Sequence, residues 1–358
     1  VARTSRQLAD LRREKLDRLV RRNKDAIEID SMGEPARRGT LLLLDPSAEE
    51  LKLISSIGLR VSDEAAVDNL GLRVVRLALP KGMSIADGER QVRAALPTVI
   101  LAADHLHFAS GRGRSPGRTR AGLFPRPIRT PIGVIDGAPG ARLTSGSVKG
   151  FAKGAPRPST HGSAVVSLLQ DNGARTIHVA DVYGSDKAGG NAMAIASALG
   201  WLVKEGAQVI NISLVGPRNP VLERVIEKAQ GRGVVIVAAV GNDGPASPPS
   251  YPASYNGVVA VSGVDSRNRV LIEAGRARHL DYVAPGADLF GADAKGKRVK
   301  LRGTSFAAPL AATRIGAALD TGRTWQKKVD GETQDLGKKG PDPIYGRGLL
   351  CGTCRPRN

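Results

Sequence analysis

The sequence predicts an α/β protein, a doubly wound parallel sheet preceded by a small α+β domain. From residue 131 onward, apolar stretches such as IGVID and VVIVAAV alternate with helical segments, which is typical of parallel strands covered on both faces. Residues 40 to 108 instead contain strands and helices in the order βαββαβ. The length of 358 residues fits two such domains.

The region before the large sheet divides into a basic extension, residues 1 to 39, and a small domain, residues 40 to 108. Leucines recur at helical spacing among the charges of residues 5 to 30, which predicts a solvent-exposed amphipathic helix, with docking onto a partner or an anionic membrane as the alternative.

The small domain has clear capping signals. Its first strand is TLLLLD, and the helix that follows is expected to begin at Ser47 and end at Gly58. A second helix is expected to begin at Ser84. With the remaining strands this order is that of a ferredoxin-like split βαβ unit.

Residues 109 to 130 are rich in Gly, Pro and Arg and contain no acidic residue. Such a composition predicts a linker and an exposed protease target rather than a packed element. The large domain then comprises residues 131 to 358.

The amino-acid composition excludes several classes of protein function. The formal net charge of +19 invites a nucleic-acid interpretation, but aromatic residues make up only 3% and none interleaves with the linker arginines, so stacking platforms are missing. No apolar run is long enough for a membrane span. Cys351 and Cys354 are the only cysteines; they form either a short-loop disulfide or two free thiols.

Four polar residues occupy positions from which chemistry is possible. Asp136 follows a strand, His161 lies in the first turn of a helix, Asn242 follows a strand, and Ser305 opens a small-residue helix. Alone, each has an ordinary explanation as a cap or turn residue. Together they could supply an orienting carboxylate, a general base, an oxyanion donor and a nucleophile. Pro309 is expected in the first turn of the helix that Ser305 opens, where proline is tolerated.

The stretches around these residues resemble the subtilisin-like serine proteases. They are VIDGA, HGSAVV, NISLVGP, VAAVGNDG, GTSFAAP and the closing DPIYGRGLL. The resemblance covers residues 131 to 350, and the chain order Asp, His, Ser is that of subtilisin.

The resemblance implies a serine endopeptidase that works through an acyl-enzyme. Asp136 would orient His161, which would take the proton of Ser305, while Asn242 and the Ser305 N–H would stabilise the oxyanion. Two segments would bind an extended polypeptide substrate and form the walls of its main pocket: Ser213, Leu214, Val215 and Gly216 on one side, and Ala239, Val240 and Gly241 on the other.

The resemblance also implies that residues 40 to 108 are an inhibitory propeptide, an intramolecular partner of the catalytic domain, although an unrelated appended domain is the alternative. The protein would then be a zymogen that cleaves itself near the start of the linker. The apolar pocket walls favour Phe108 before the cleaved bond, whereas Asp243 would favour Arg112 or Arg114. A latent or non-catalytic binding module that retains the propeptide is the alternative function.

Two departures from the family pattern bear on chemistry. Gly137 and Ala138 follow Asp136 where the family usually has Ser or Thr and then Gly, so a hydroxyl is missing. The calcium-binding loop that many relatives insert after the catalytic histidine is also missing, and no metal or other cofactor is predicted. The expected location is extracytoplasmic, with no targeting segment in this sequence.

Overall fold

The computed structural model describes residues 5–67, 69–116, 126–143, 146–322 and 324–354. Its amino-terminal part consists of a helix followed by a small α+β domain. The elements are α1 (Ser5–Arg22), β1 (Ile27–Ile29), β2 (Pro35–Leu44), α2 (Ala48–Ser56), β3 (Arg60–Val67), β4 (Leu72–Ala78), α3 (Ile85–Ala95) and β5 (Ile100–His105).

The small domain is an antiparallel sheet in the order β3, β4, β2, β5, which is the order of a split βαβ unit. Ser47 and Ser84 cap α2 and α3 as expected, and Gly58, with φ +81°, follows the end of α2. The sheet begins earlier than residue 40, because β1 pairs with the first residues of β2.

Strand β2 is apolar on both faces. Leu41 and Leu43 pack under α2 and α3 in the core of the small domain, whereas Leu42 and Leu44 belong to a core shared with the large domain. Since both faces are removed from water, the small domain is held to the large one by a continuous apolar interface.

The large domain is built on a seven-stranded parallel sheet in the order β15, β14, β13, β11, β8, β10, β9. Helices α5 and α6 cover one face, and α4 and α7 cover the other. The remaining elements of the chain are β6 (Phe108–Ala109), β7 (Arg112–Pro116), β8 (Ile132–Asp136), β9 (Val148–Gly150), α4 (Thr160–Asp171), β10 (Ile177–Asp181), α5 (Ala192–Lys204), β11 (Val209–Ile212), β12 (Leu214–Val215), α6 (Pro220–Gly231), β13 (Val235–Ala239), β14 (Val259–Val264), β15 (Tyr282–Pro285), β16 (Ala287–Ala292), β17 (Arg298–Arg302), α7 (Thr304–Leu319), α8 (Trp325–Glu332) and a 3₁₀ helix (Gly352–Cys354).

The segment after the small domain is paired rather than free. Strand β6 pairs antiparallel with β12, and β7 pairs antiparallel with β17. The sequence predicted an unpacked linker from residue 109, and up to Pro116 that expectation is wrong. The pairing uses backbone groups, which a Gly- and Arg-rich stretch offers as well as an apolar one. The rest of the predicted linker, residues 117 to 125, lies outside the described residues.

Helix α1 keeps its described side chains at least partly exposed, as the sequence predicts, and also contacts the large domain. Arg12 forms ion pairs with Glu34, at 3.1 Å, and with Asp243, at 3.4 Å. The side chain of Leu8 lies directly over Gly244. The contacts that the structure shows for this helix are thus with its own chain.

Two further observations concern membrane spans and the cysteine pair. Within the described ranges, no helix is both long and apolar enough to cross a membrane. Cys351 and Cys354 are joined by a disulfide bond.

Candidate active site

The four candidate residues meet at the carboxyl edge of the parallel sheet. Asp136 is the last residue of β8, His161 is the second residue of α4, and Ser305 is the second residue of α7. Asn242 follows the end of β13. In doubly wound sheets, sites form where the carboxyl ends of the strands meet helix starts.

Asp136 fixes the orientation of the imidazole. Its Oδ2 lies 2.7 Å from His161 Nδ1, and its Oδ1 accepts the N–H of Gly137 at 2.7 Å. The carboxylate is 1% exposed. With Nδ1 donating to the carboxylate, His161 Nε2 is the ring nitrogen left to act as a base.

The missing hydroxyl beside Asp136 has a steric explanation. A Cβ on Gly137 would lie 2.5 Å from the hydroxyl oxygen of Ser159, the residue that caps α4. Any side chain at position 137 would displace that cap, so the Ser159 hydroxyl already fills this space.

Ser305 is held away from the base. Its Oγ lies 2.6 Å from Ser110 Oγ and donates to the Ser213 carbonyl at 3.4 Å. His161 Nε2 is buried and has no hydrogen-bond partner among the described residues. For a nucleophilic attack, Ser305 Oγ must leave these two partners and donate to His161 Nε2.

The carbonyl of Ser110 lies where an attacked carbonyl is expected. Its oxygen accepts the N–H of Ser305 at 3.1 Å, and Ser110 N–H points to the Ser213 carbonyl at 3.4 Å. Asn242 Oδ1 accepts the N–H of Thr304, so its Nδ2 is the free donor, buried and without a partner in the described parts of the chain. Ser305 N–H therefore already donates to this carbonyl oxygen, as a donor of an oxyanion hole does, whereas Asn242 Nδ2 makes no hydrogen bond to it.

A glycine permits this close approach. Gly303 has φ +142°, and a Cβ there would lie 2.7 Å from the Cα of Gly111, 2.9 Å from Asn242 Nδ2 and 3.1 Å from the Ser110 oxygen. Any larger residue would push the bound segment out of the site.

The predicted substrate-binding segments hold the chain's own residues 107 to 110. Ala109 pairs with Leu214 and Phe108 with Val215. The His107 ring packs against Gly216, where a Cβ would come within 2.5 Å of it. On the opposite wall, Ala239 and Val240 are buried, and Gly241 lies against Val215.

The structure differs from the sequence on which residue faces Ser305. Ser110, not Phe108, presents its carbonyl to Ser305, and Phe108 lies two residues earlier. Asp243, expected to attract an arginine of the linker, is paired with Arg12 of α1 instead. Both differences depend on contacts between residues far apart in the sequence, which local sequence patterns do not predict.

The position of Pro309 also corrects the sequence. It lies in the second turn of α7, not the first. Proline there cannot donate to the Ser305 carbonyl four residues back. That carbonyl instead accepts the hydroxyl of Ser213 at 2.9 Å, so the helix loses no partner at this point.

Burial dominates the electrostatics around His107. The ring is fully buried, and neither of its nitrogens has a hydrogen-bond partner among the described residues. Burial, together with a smaller electrostatic effect of His105, lowers the pKa of His107 to about 3. The neighbouring Tyr183 donates its hydroxyl to the His107 carbonyl at 2.9 Å, and burial raises its pKa well above its usual value. The sequence analysis did not single out Tyr183 or Thr304 as site residues. The only sequence signals for them are that Tyr183 follows the strand β10 and that Thr304 directly precedes Ser305.

Within the described ranges, the structure has no group of three or more His, Cys, Asp or Glu side chains that could hold a metal ion.

A doubly wound parallel sheet that brings Asp, His and Ser together in this chain order defines the subtilisin-like class of proteins. The sequence profile of the Subtilase family matches residues 150–346. The chain therefore belongs to the subtilase family. Asp136 precedes the matched range, so its assignment depends on its contact with His161.

Curated relatives agree with this family. Subtilisin DY of Bacillus licheniformis is 31% identical over 170 residues, which are 45% of this chain and 61% of that protein. The minor extracellular protease Epr of Bacillus subtilis is 28% identical over 167 residues, 45% of this chain and 26% of that protein. The chain thus spans less than two thirds of the relatives it matches.

Solved structures share the fold. Fervidolysin from Fervidobacterium pennivorans, a keratinolytic enzyme related to subtilisin, has a TM-score of 0.74 at 18% identity, with 92% of this chain and 62% of that chain covered. The epidermin leader peptide processing serine protease of Staphylococcus aureus has a TM-score of 0.65 at 16% identity, covering 88% and 97%.

Proposed function

We propose that the protein is a serine endopeptidase made as a zymogen, with Asp136, His161 and Ser305 as its catalytic residues and Asn242 in its oxyanion hole. The observation that carries the proposal is the hydrogen bond from Ser305 N–H to the Ser110 carbonyl. It supports Ser110–Gly111 as the bond that the enzyme cleaves in its own chain.

The chemistry follows from these contacts. Ser305 Oγ adds to the Ser110 carbonyl carbon and gives its proton to His161 Nε2. The C–N bond to Gly111 then breaks, and His161 returns the proton to the Gly111 amine. Water next hydrolyses the ester, which frees Ser305 and leaves a carboxyl group on Ser110.

The small domain acts in this proposal as the inhibitory propeptide. Its last strand, β5, leads through residues 107 to 110 directly into the cleft, where β6 pairs with β12. An extended segment that fills the substrate strand excludes other polypeptides until it is released. We infer an extracytoplasmic location as well, since a disulfide persists in oxidising compartments and one relative is named as extracellular.

The test is the mass and amino-terminal sequence of the purified full chain. The wild type is expected to yield a large fragment beginning at Gly111, and Ser305→Ala is expected to remain one chain. Ser262→Ala, which removes another buried serine hydroxyl outside the cleft, is the matched control and is expected to be cut. Cleavage in Ser305→Ala would contradict the proposal, and a wild-type chain that stays intact would favour the latent alternative.

A further inference from the structure

Helix α1 packs on the part of the chain that enters the cleft. Leu19 and Val20 contact an apolar cluster to which both the entering chain and the large domain contribute. The members of this cluster are Ile27, Leu106 and Ala188, with Phe108 packed against it. One turn earlier in the helix, Lys15 Nζ lies 6.0 Å from the centre of the Phe108 ring. The entering chain is therefore held by backbone pairing with β12 and by side-chain packing with α1.

The same helix is tied to the large domain at two places. Near its start, Leu8 lies over Gly244, and Arg12 pairs with Asp243 at 3.4 Å. Shortly after its end, Asp25 pairs with Lys187 at 2.7 Å. The first contact is with the loop that follows β13, and the second is with the loop that follows β10.

The length of α1 matches the distance between these two loops. Strands β13 and β10 lie three positions apart in the sheet, which corresponds to about 14 Å. A helix rises about 1.5 Å per residue, so residues 8 to 20 span about 18 Å. Helix α1 therefore bridges the carboxyl edge of the sheet and lies across residues 106 to 108.

Arg12 connects three parts of the chain. Its guanidinium pairs with Asp243 and, at 3.1 Å, with Glu34 in the connection between β1 and β2. The side chains of Arg12 and Glu34 are 22% and 16% exposed, so water and salt screen this pair less than an exposed one. The adjacent Arg13 instead pairs with Asp10 of the same helix and is 73% exposed. The two neighbouring arginines thus differ in whether they hold α1 in place.

Building on the proposed zymogen, we propose that the loops after β13 and β10 form a second binding site for the amino-terminal part of the chain, separate from the substrate cleft. Its ligand is the basic amphipathic helix α1 of the same chain, and its effect is to keep residues 106 to 110 in the cleft. After a cut at Ser110–Gly111, the amino-terminal fragment stays bound through this second site as well as through the small domain. Contacts linked in one fragment must all break before it leaves, which slows its release.

The first test is hydrogen exchange of the uncut chain, and it does not depend on enzyme activity. The parent protein is Ser305→Ala. The double variant Leu8→Asp/Arg12→Ala in this background is expected to raise the exchange rate of residues 106 to 110 at least about fivefold, because these residues open more easily once α1 has left. Arg13→Ala is the matched control and is expected to leave that rate unchanged.

Two sets of amides make this test specific. Within the entering chain, His107 N–H donates to the Gly190 carbonyl at 2.8 Å and Ser110 N–H points to the Ser213 carbonyl at 3.4 Å, so their exchange reports opening at the cleft. The amides of β8 lie in the middle of the parallel sheet and report unfolding of the large domain. Their exchange is expected to be the same in all three proteins.

The second test uses the protein after self-cleavage. The rate at which the amino-terminal fragment separates from the large fragment is measured by size-exclusion chromatography at successive times after dilution. Leu8→Asp/Arg12→Ala is expected to speed this separation at least about tenfold, since losing contacts at an interface mainly raises the dissociation rate. Arg13→Ala is expected to separate at the wild-type rate.

The outcomes distinguish this inference from the proposed function. Equal exchange of residues 106 to 110 in the double variant and its parent would overturn the second site, whatever the enzyme cleaves. An equal rise over β8 would show a general loss of stability and would overturn it as well. A wild-type chain that stays intact would contradict self-cleavage, while the exchange result would still decide whether α1 holds the entering chain.

Discussion

The buried carboxylate of Asp104 links the two domains, and its removal is expected to lower the free energy of unfolding substantially. The carboxylate is fully buried at the end of β5. It accepts Nε and Nη2 of Arg76, at 3.1 and 3.0 Å, and the backbone N–H of Met193 at the start of α5, at 3.0 Å. A carboxylate from the small domain thus satisfies a helix N-terminus of the large domain.

The magnitude follows from what each substitution leaves behind. Breaking a buried ion pair by removing one partner costs about 3 to 5 kcal/mol. Arg76 keeps its contact with Asp63 at 2.8 Å, so Asp104→Ala is expected near the lower end, about 3 kcal/mol. Asp104→Asn retains an acceptor for Met193 and is expected to cost about 1 to 3 kcal/mol.

The assay is thermal and urea unfolding of the full chain in a Ser305→Ala background, in which the proposed self-cleavage is not expected. A loss of 3 kcal/mol corresponds to a fall of about 6 to 12 °C in Tm for a unit of 150 to 250 residues. Asp63→Ala is the matched control, because its carboxylate is half exposed and such pairs contribute at most about 1 kcal/mol. If Asp104→Ala and Asp63→Ala lose equal stability, the argument for a buried charge at the interface is refuted.

Three further predictions follow. Since the pKa of His107 is lowered by burial to about 3, the stability that depends on its neutral ring is complete above pH 6.5 and falls by about 1.4 kcal/mol per pH unit below it, down to pH 3. The free energy of unfolding, measured by denaturant titration, should therefore fall between pH 7 and pH 5 by about 2 kcal/mol more in Ser305→Ala than in the double variant Ser305→Ala/His107→Phe. Equal falls in the two proteins would contradict this prediction. Asn242→Ala should lower the rate of self-cleavage by about 10²- to 10³-fold, a figure that comes from subtilisin itself; an unchanged rate would exclude Asn242 from the oxyanion hole. A chelator should leave the Tm of the full chain nearly unchanged, and a fall of more than about 5 °C, or 1 to 2 kcal/mol, would reveal a metal site.

The edge of the sheet could be predicted because it depends on short-range patterns. An apolar run followed by Asp136 or Asn242 marks a strand and its end, and small residues after Ser305 mark a helix start. Parallel strands place their carboxyl ends together whatever the length of chain between them. These patterns place Asp136 and Asn242 at the same edge, whereas the contact between Asp136 and His161 was expected only from the resemblance of the motifs around them.

The sequence predicted which segment enters the cleft, but not that Ser110 instead of Phe108 would face Ser305. Residues 109 to 116 carry no apolar periodicity, and their strands exist only because edge strands of the large domain accept them. The docking of α1 on the loop at Asp243 and Gly244 is likewise a long-range event. Backbone pairing depends little on side chains, so the sequence says where it is allowed but not where it occurs.

Pro309 shows how a departure from a local rule can serve the site. Proline inside a helix leaves the carbonyl four residues back without its usual donor, at a cost of about 3 kcal/mol. In α7 that carbonyl belongs to Ser305, and it accepts the Ser213 hydroxyl, which in turn accepts the amide of Asn211 at 2.9 Å. The residue just before β12, the strand that pairs with β6, is thereby hydrogen bonded to the helix that carries Ser305. The missing N–H thus leaves the Ser305 carbonyl free to join Ser213 and Asn211 in one buried hydrogen-bond network.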